Sequence, residues 1–379
     1  MNTAPLVALV REIYGSDAVV PLHRPVFAGS EREDLIACID SNFVSSVGEK
    51  VTELERRVAE FSGARFGIAV GNGTNALQVA LRLVGVTQDA EVITQALTFV
   101  ATCNSIAYLG AHPVLVDVDR ETLGMSPDAL RAFLEEIGDR REDGCYNRST
   151  GRRIAACQPM HTFGHPVRID EIASICSEWG IPLVEDAAES LGSYFKDRHT
   201  GTFGRLGVFS FNGNKIITTG GGGMIVTNDE DLARRAKHLT TTAKVPHAYE
   251  YVHDELGYNF RMPNLNAALG CAQMDQLHGF LAAKREVAQR YADFCAEHGI
   301  EFVGEPAGAR SNYWLNTIIL DSKAERDAFL EDTNAQGIMT RPIWRLMNEL
   351  PMYAHCQHDG LAMSQWLADR VVNLPSSVP

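Results

Sequence analysis

The sequence predicts an α/β protein, with a mostly parallel mixed sheet flanked by helices and a smaller α+β region toward the C-terminus. Two observations carry this expectation. Between Phe66 and Asn228, short apolar, β-branched runs alternate with helix-period stretches, the signature of β-α-β units. The chain also has 379 residues, more than one small domain needs and fewer than three, so two packed domains are expected. The division falls between residues 1–265, a large domain with an N-terminal helical segment, and residues 266–379, a connector helix and a small C-terminal domain.

The elements follow in order. The N-terminal MNTAPLVALVREIYGSDAVV carries Arg11, Glu12 and Asp17 within or beside its apolar positions, which suits a helix and not a signal peptide. Strands are expected at Phe66 to Val70, Glu91 to Gln95, Pro113 to Asp119, Arg153 to Pro159, Ile181 to Ala187, Val208 to Phe211 and Gly223 to Asn228. Between several of them lie NALQVALRLVG, ATCNSIAYLG and IDEIASICSEWG, each closed by a glycine that suits a left-handed helix end. The polar, turn-rich REDGCYNRSTGRR, Arg141 to Arg153, reads as a surface loop. From about Asn266 a long helical pattern leads into mixed strands and helices.

Composition excludes several classes. Hydrophobic residues at 45% and charged residues at 22% are ordinary for a globular enzyme-sized protein. A net charge of -14 disfavours a nucleic-acid backbone or an anionic membrane as partner, while one local pocket can still take phosphate. The eight cysteines include no C-x-x-C pair, so reduced thiols of a cytoplasmic protein are expected, with no metal site. No run of about 18 uncharged apolar residues occurs, so no membrane span is expected.

The chemistry concentrates in SFNGNKIITTGGGGMIVTN, Ser210 to Asn228. Lys215 lies in a polar turn between two apolar strands, where a lysine can approach an aldehyde as a neutral amine. Gly220 to Gly223 allow close backbone approach or positive φ. Taken alone, such a lysine is most often a surface charge. Asp186 ends the apolar run IPLVED, where ligands of open α/β sheets gather, and its carboxylate can pair with a protonated pyridine nitrogen; by itself it reads as a turn or cap residue. Glu185 should point to the opposite face. GNGTNALQVAL, Gly71 to Leu81, is a Gly-rich turn opening a helix, suited to a phosphate or simply to a helix cap. Phe99 can lie against a planar ring or serve as a core aromatic, and Ser210 can add a hydroxyl to the phosphate or be an ordinary strand serine. His161 and His165 flank a glycine in HTFGHP, which suits a loop near substrate better than a metal site.

With these residues in this order, the chain resembles the DegT/DnrJ/StrS sugar-nucleotide aminotransferases, fold-type-I pyridoxal-phosphate enzymes. The resemblance rests on GNGTNAL, TFVATCNSIAYLGAHPVLVDVD, HTFGHPVRIDEI, VEDAAES, the SFNGNK turn with TTGGGGM, and GYNFRMPNLNAALG. It implies an aspartate-aminotransferase-like fold and a homodimer with active sites at the interface. It further implies pyridoxal 5'-phosphate, with pyridoxamine phosphate as its amine form, and L-glutamate and a nucleotide-linked keto-sugar as substrates. By matching motifs, Lys215 binds the cofactor and moves protons, Asp186 pairs with the ring nitrogen, and Phe99 stacks on the ring. Gly73, Thr74 and Ser210 would hold the phosphate, and Asn259 would reach the neighbouring subunit's cofactor. Glu189 stands where many members carry Gln, as a cofactor contact near the phenolic oxygen. Dehydratases that resemble the family carry histidine in place of Lys215, so the lysine favours amino transfer.

The stretch from Thr240 to Asn264 is similar to members that aminate UDP-4-keto-6-deoxy-N-acetylglucosamine in amino-sugar biosynthesis of the bacillosamine or legionaminic acid type. GDP-4-keto-6-deoxymannose, giving perosamine, is the alternative. A reading of another class is a cofactor-binding regulator without turnover.

Overall fold

The computed structural model describes residues 2–379. Its central feature is a mixed sheet built where the sequence alternates. Strands Phe66–Val70, Gly223–Thr227, Leu206–Ser210 and Val184–Asp186 pair in that order, and single bridges from Cys157 to Leu183 and from Met160 to Asp186 join them to Arg153–Gln158, Glu91–Gln95 and His112–Val116. Only Gly223–Thr227 runs against the others in this row. The near-continuous apolar strands reflect coverage of both faces by helices. Gly73–Leu83 sends Ala76, Leu77 and Ala80 into one core with Ile68, Val92 and Val208. Ile169–Trp179 and Pro127–Ile137 cover the sheet around Ile93, Val114 and Cys157.

The expected surface loop is partly strand. Gly138–Arg141 and Gly144–Asn147 form an antiparallel hairpin that extends the sheet beside Arg153–Gln158. Its polarity misleads because alternate residues turn inward: Cys145 is buried, and Asn147 Nδ2 donates to the buried carboxylate of Glu91 at 2.8 Å.

Helix Asn264–His298 is 35 residues long and serves two cores. Its first half packs Ala267, Cys271, Met274 and Leu277 against Leu54, Phe209 and Phe211. Its second half packs Val287, Tyr291 and Cys295 against Ile318, Phe329 and Val372 beneath a second, antiparallel sheet. The N-terminal helix Ala4–Tyr14 inserts Leu6, Val7, Val10 and Ile13 into this second core, far along the chain from its own sequence neighbours. All eight cysteines are buried and free. Among the described residues no helix is long and apolar enough to cross a membrane.

Close backbone contact fixes the sheet near the amino end of strand Leu206–Ser210. A Cβ on Gly207 would lie 2.0 Å from the Gly201 carbonyl oxygen, because the 201–204 turn folds flat over strand Leu206–Ser210. Backbone cannot give way as a side chain can. Gly207→Ala is therefore expected to lower the unfolding free energy by about 3 kcal/mol in urea titration, and a loss under about 1 kcal/mol would contradict this packing.

Candidate active site

The carboxyl ends of four parallel strands meet along one edge, and the singled-out residues lie there. Asp186 ends its strand, Ser210 ends the next, Gly73 and Thr74 follow Phe66–Val70, and Phe99 follows Glu91–Gln95. Ligands of open α/β sheets bind at such an edge.

Three acids come close together in VEDAAES, and strand alternation separates the first two. Glu185 turns away, as expected: its carboxylate accepts from the amides of Gly201 and Gly204 at 2.7 Å and lies 3.1 Å from His161 Nε2. It fixes the 201–204 turn. Asp186 faces the edge, where Oδ2 accepts from Thr102 Oγ1 at 2.7 Å and Oδ1 from the Ala188 amide at 3.2 Å. Burial raises its pKa, opposed by these two hydrogen bonds. Glu189 receives the Lys215 amine at 3.0 Å on Oε1 and the Phe163 amide at 2.9 Å on Oε2. Burial pushes its carboxyl up to about 7 despite the nearby charge of Lys215. Desolvation thus outweighs the ion pair.

Lys215 is held in its turn by its backbone amide, which donates a hydrogen bond to the Asn212 carbonyl at 3.0 Å, and its side chain is mostly buried. Its Nζ lies 3.9 Å from the centre of the Trp314 ring. Trp314, like Thr102, escaped the sequence reading. Its apolar setting in SNYWLNTIIL marks only a core strand, and its distance along the chain from Lys215 hides the contact. Thr102 is one helical turn after Phe99, a spacing that could have suggested a shared site.

The phosphate candidates also converge. A Cβ on Gly73 would sit 3.0 Å from Ser210 Cβ and 3.2 Å from its Oγ. Asn72, not Thr74, caps the helix, its side chain accepting from the Asn75 amide at 2.8 Å. The Ala76 amide reaches the Asn72 carbonyl, which leaves the amides of Gly73 and Thr74 as the orphan donors of the first turn. The glycines after Lys215 serve close approach: a Cβ on Gly223 would lie 2.6 Å from the Asn72 carbonyl, and Gly220 has φ +77°. Phe99 is 48% exposed and touches Trp344 edge-on at 6.2 Å.

Asn259 stands apart from this cluster within one chain. It is exposed, accepts from Arg261 at 3.3 Å, and lies in a segment whose Phe260 carbonyl takes the Gly71 amide. The two histidines of HTFGHP are fully buried and so do not line an open substrate loop. Burial lowers the pKa of His165 to about 4. Elsewhere His238, Asp254 and Glu255 converge as metal-capable groups, but Glu255 is already engaged by Arg235 and Arg82.

This arrangement is shared with known proteins. The model of the DegT/DnrJ/EryC1/StrS aminotransferase family matches residues 27–379. The chain belongs to that family. Among its relatives is a protein of Bacillus subtilis (strain 168), EpsN, provisionally named a pyridoxal phosphate-dependent aminotransferase, 37% identical over 94% of this chain and 90% of its own. A GDP-perosamine synthase of Escherichia coli O157:H7 is 34% identical over 94% of this chain and 93% of its own. The solved aminotransferase TlmJ from Streptoalloteichus hindustanus superposes with a TM-score of 0.85 at 27% identity, covering 94% of this chain and 93% of that one. The chain is thus a pyridoxal phosphate-dependent sugar aminotransferase of fold type I.

Glu189 gives this aminotransferase a pH signature. Its carboxyl ionises near the ordinary 4.5 when unfolded and near 7 when folded, so the folded state keeps the proton longer and stability is lost as pH rises through that window. Glu189→Gln removes the titrating group. In urea titrations of cofactor-free protein, wild-type stability relative to Glu189→Gln is expected to fall between about pH 4.5 and 7, with a slope approaching one proton. Parallel pH curves for the two proteins would show that burial does not hold the proton there.

Proposed function

We propose that this chain transfers an amino group from L-glutamate to a nucleotide-linked 4-keto-6-deoxy sugar, with Lys215 as the catalytic residue. The observation that carries this reading is the Lys215 amine at 3.0 Å from buried Glu189, beside a buried Asp186 that no cationic side chain pairs with among the described residues. Pyridoxal phosphate fits this edge. Asp186 accepts only neutral donors, so a protonated ring nitrogen would complete it. The amides of Gly73 and Thr74, with the Ser210 hydroxyl beside them, suit a phosphate dianion. Phe99 offers a ring face for stacking. When bound, the cofactor supplies the electron sink that lets a carbon beside nitrogen lose its proton.

The chain's own groups handle that proton. Lys215 Nζ takes it on one substrate and returns it to the next, which requires a neutral amine at the start. Glu189 Oε1, hydrogen-bonded to Nζ at 3.0 Å, is placed to accept the proton that the amine sheds. The Phe163 amide keeps the carboxyl oriented while the proton moves. Glu189 thereby combines the assigned cofactor contact with custody of a proton.

The site also needs a second chain in this reading. Ile36, Ile39, Phe43, Val44 and Val47 are exposed on helix Glu31–Asp40 and the loop after it, beside a recess of about 840 Å³ lined in part by Asn264. Five exposed apolar side chains within twelve residues of chain favour a partner, here a second copy. Asn264 and Asn259 belong to one segment, GYNFRMPN, so such an interface would carry Asn259 to its edge, next to a partner's cofactor. We also place the protein in the cytoplasm, where nucleotide sugars are made. Residues 1–265 and 266–379 remain the proposed domains, with the first helix packed on the second.

Two nucleotides are favoured by separate observations. The stretch Thr240 to Asn264 resembles enzymes acting on UDP-4-keto-6-deoxy-N-acetylglucosamine, while the name of the E. coli relative points to the GDP sugar of perosamine formation. The purified protein with pyridoxal phosphate and L-glutamate is expected to aminate one of the UDP-, GDP- or dTDP-linked 4-keto-6-deoxy sugars by mass spectrometry. Lys215→Ala should lose this by at least about a thousandfold, as removal of a nucleophile and proton carrier requires. A cofactor that glutamate never converts would favour the regulator reading.

For the interface, light scattering is expected to give twice the chain mass for wild type and the single mass for Phe43→Asp with Val47→Asp. The paired variant should retain the fold by circular dichroism. A wild-type monomer that turns over normally would remove the shared site.

A further inference from the structure

The indole of Trp314 touches the reactive amine and also grips the backbone that carries it. Its ring face lies 3.9 Å from Lys215 Nζ, and its Nε1–H donates to the carbonyl of Asn214, the residue before Lys215, at 2.6 Å. The residue is itself tied down on both sides. Its amide donates to Asn312 Oδ1 at 2.8 Å, and the Asn312 side-chain amide donates to the carbonyls of Glu189 and Leu191 at 2.9 Å. Its carbonyl accepts from Lys284 Nζ at 3.1 Å.

Lys284 is an unusual anchor. It is buried in helix Asn264–His298, and its amine meets the carbonyls of Trp314 and Ser376 and, at 3.0 Å, His23 Nε2, with no carboxylate among these partners. Burial lowers its pKa to about 7. A lysine kept in the core at that penalty fixes three distant segments at one point, on the backbone of Trp314.

Resting on the reading of Lys215 as the catalytic amine, we propose that Trp314 is its positioning residue, orienting the ammonium by its ring face and the turn by its N–H, with Lys284 acting through it. The ring face and the Glu189 carboxyl hold Nζ from two sides. The indole N–H limits how far Nζ can swing when neither holds it.

The test uses the full-length protein stripped of cofactor, so it is independent of turnover and of whether Lys215 is essential, which the Lys215→Ala assay decides. Lysine labelling by trinitrobenzenesulfonate, followed at Lys215 by peptide mass spectrometry across pH, reads the amine; hydrogen exchange across residues 212–217 reads the turn. Trp314→Leu is expected to displace the labelling profile to lower pH by roughly half a unit to one and a half units, and to speed exchange. Trp314→Phe keeps a ring face and loses the donor, so it should hold the wild-type profile while still speeding exchange. Adding Lys284→Met to Trp314→Leu should leave the profile where the single change put it. An unmoved profile in Trp314→Leu would overturn the proposal, as would a uniform rise in rate at every pH, which marks a cover and not a charge partner. Equal displacement in Trp314→Phe would also overturn it, because the ring face would then not be what holds the ammonium.

Discussion

Three carboxyl groups are buried between Glu185 and Glu189, and much of the surrounding structure can be understood as the means of satisfying them. A carboxylate removed from water without partners costs several kcal/mol, so each must find donors or keep its proton. Glu185 finds two backbone amides and lies within reach of His161, and the turn that supplies those amides is thereby fixed against the sheet. Glu189 finds an amine and an amide yet still holds its proton up to about 7. Asp186 finds only a hydroxyl and an amide, the least complete set of the three. That incompleteness is what makes it fit a cationic ring nitrogen in the proposed complex.

The sheet explains why these groups meet at all. Parallel strands bring every strand-to-helix turn to one edge, so Gly73, Phe99, Asp186 and the turn bearing Lys215 become neighbours though they span much of the chain. The antiparallel strand Gly223–Thr227 is wedged into this row, and it passes so close to Asn72 that only glycine fits at its start. The glycine run after Lys215 is therefore used for packing of strand against helix start. It sets the distance between the lysine turn and the turn of Gly73, and in the proposed reaction that distance is the one between amine and phosphate.

Elements with a strong local signal were legible in the sequence. The strands Phe66–Val70 and Glu91–Gln95 and the helix Ile169–Trp179 coincide with their apolar periods and closing glycines, and strand alternation alone turned Glu185 away from Asp186. Long-range pairing was not legible. The hairpin through Cys145 looked like a loop because its outward residues are polar and turn-rich. His161 and His165 looked like loop histidines because nothing local announces that the acid of a separate strand, Glu185, lies beside the first. Trp314 was invisible for the same reason, since its partners Asn214 and Lys215 belong to another domain in the proposed division.

That last contact changes what the C-terminal region contributes. A small domain could serve only to close over substrate, but here the irregular segment before strand Asn316–Ile319 delivers an aromatic ring to the amine and, through Asn312, fastens the backbone at Glu189. The acid and the ring that flank Lys215 are thus braced by the same short segment, SNYW. Any displacement of that segment would move both together and preserve their arrangement around Nζ. With Gln in place of Glu189, a neutral amide would donate or accept without taking a proton. With a carboxyl there instead, the amine's proton has a destination a single hydrogen bond away and need not travel to water. In the proposed reaction the lysine must be charged at one moment and neutral at the next, and the carboxyl and the indole face together keep Nζ in one place through both.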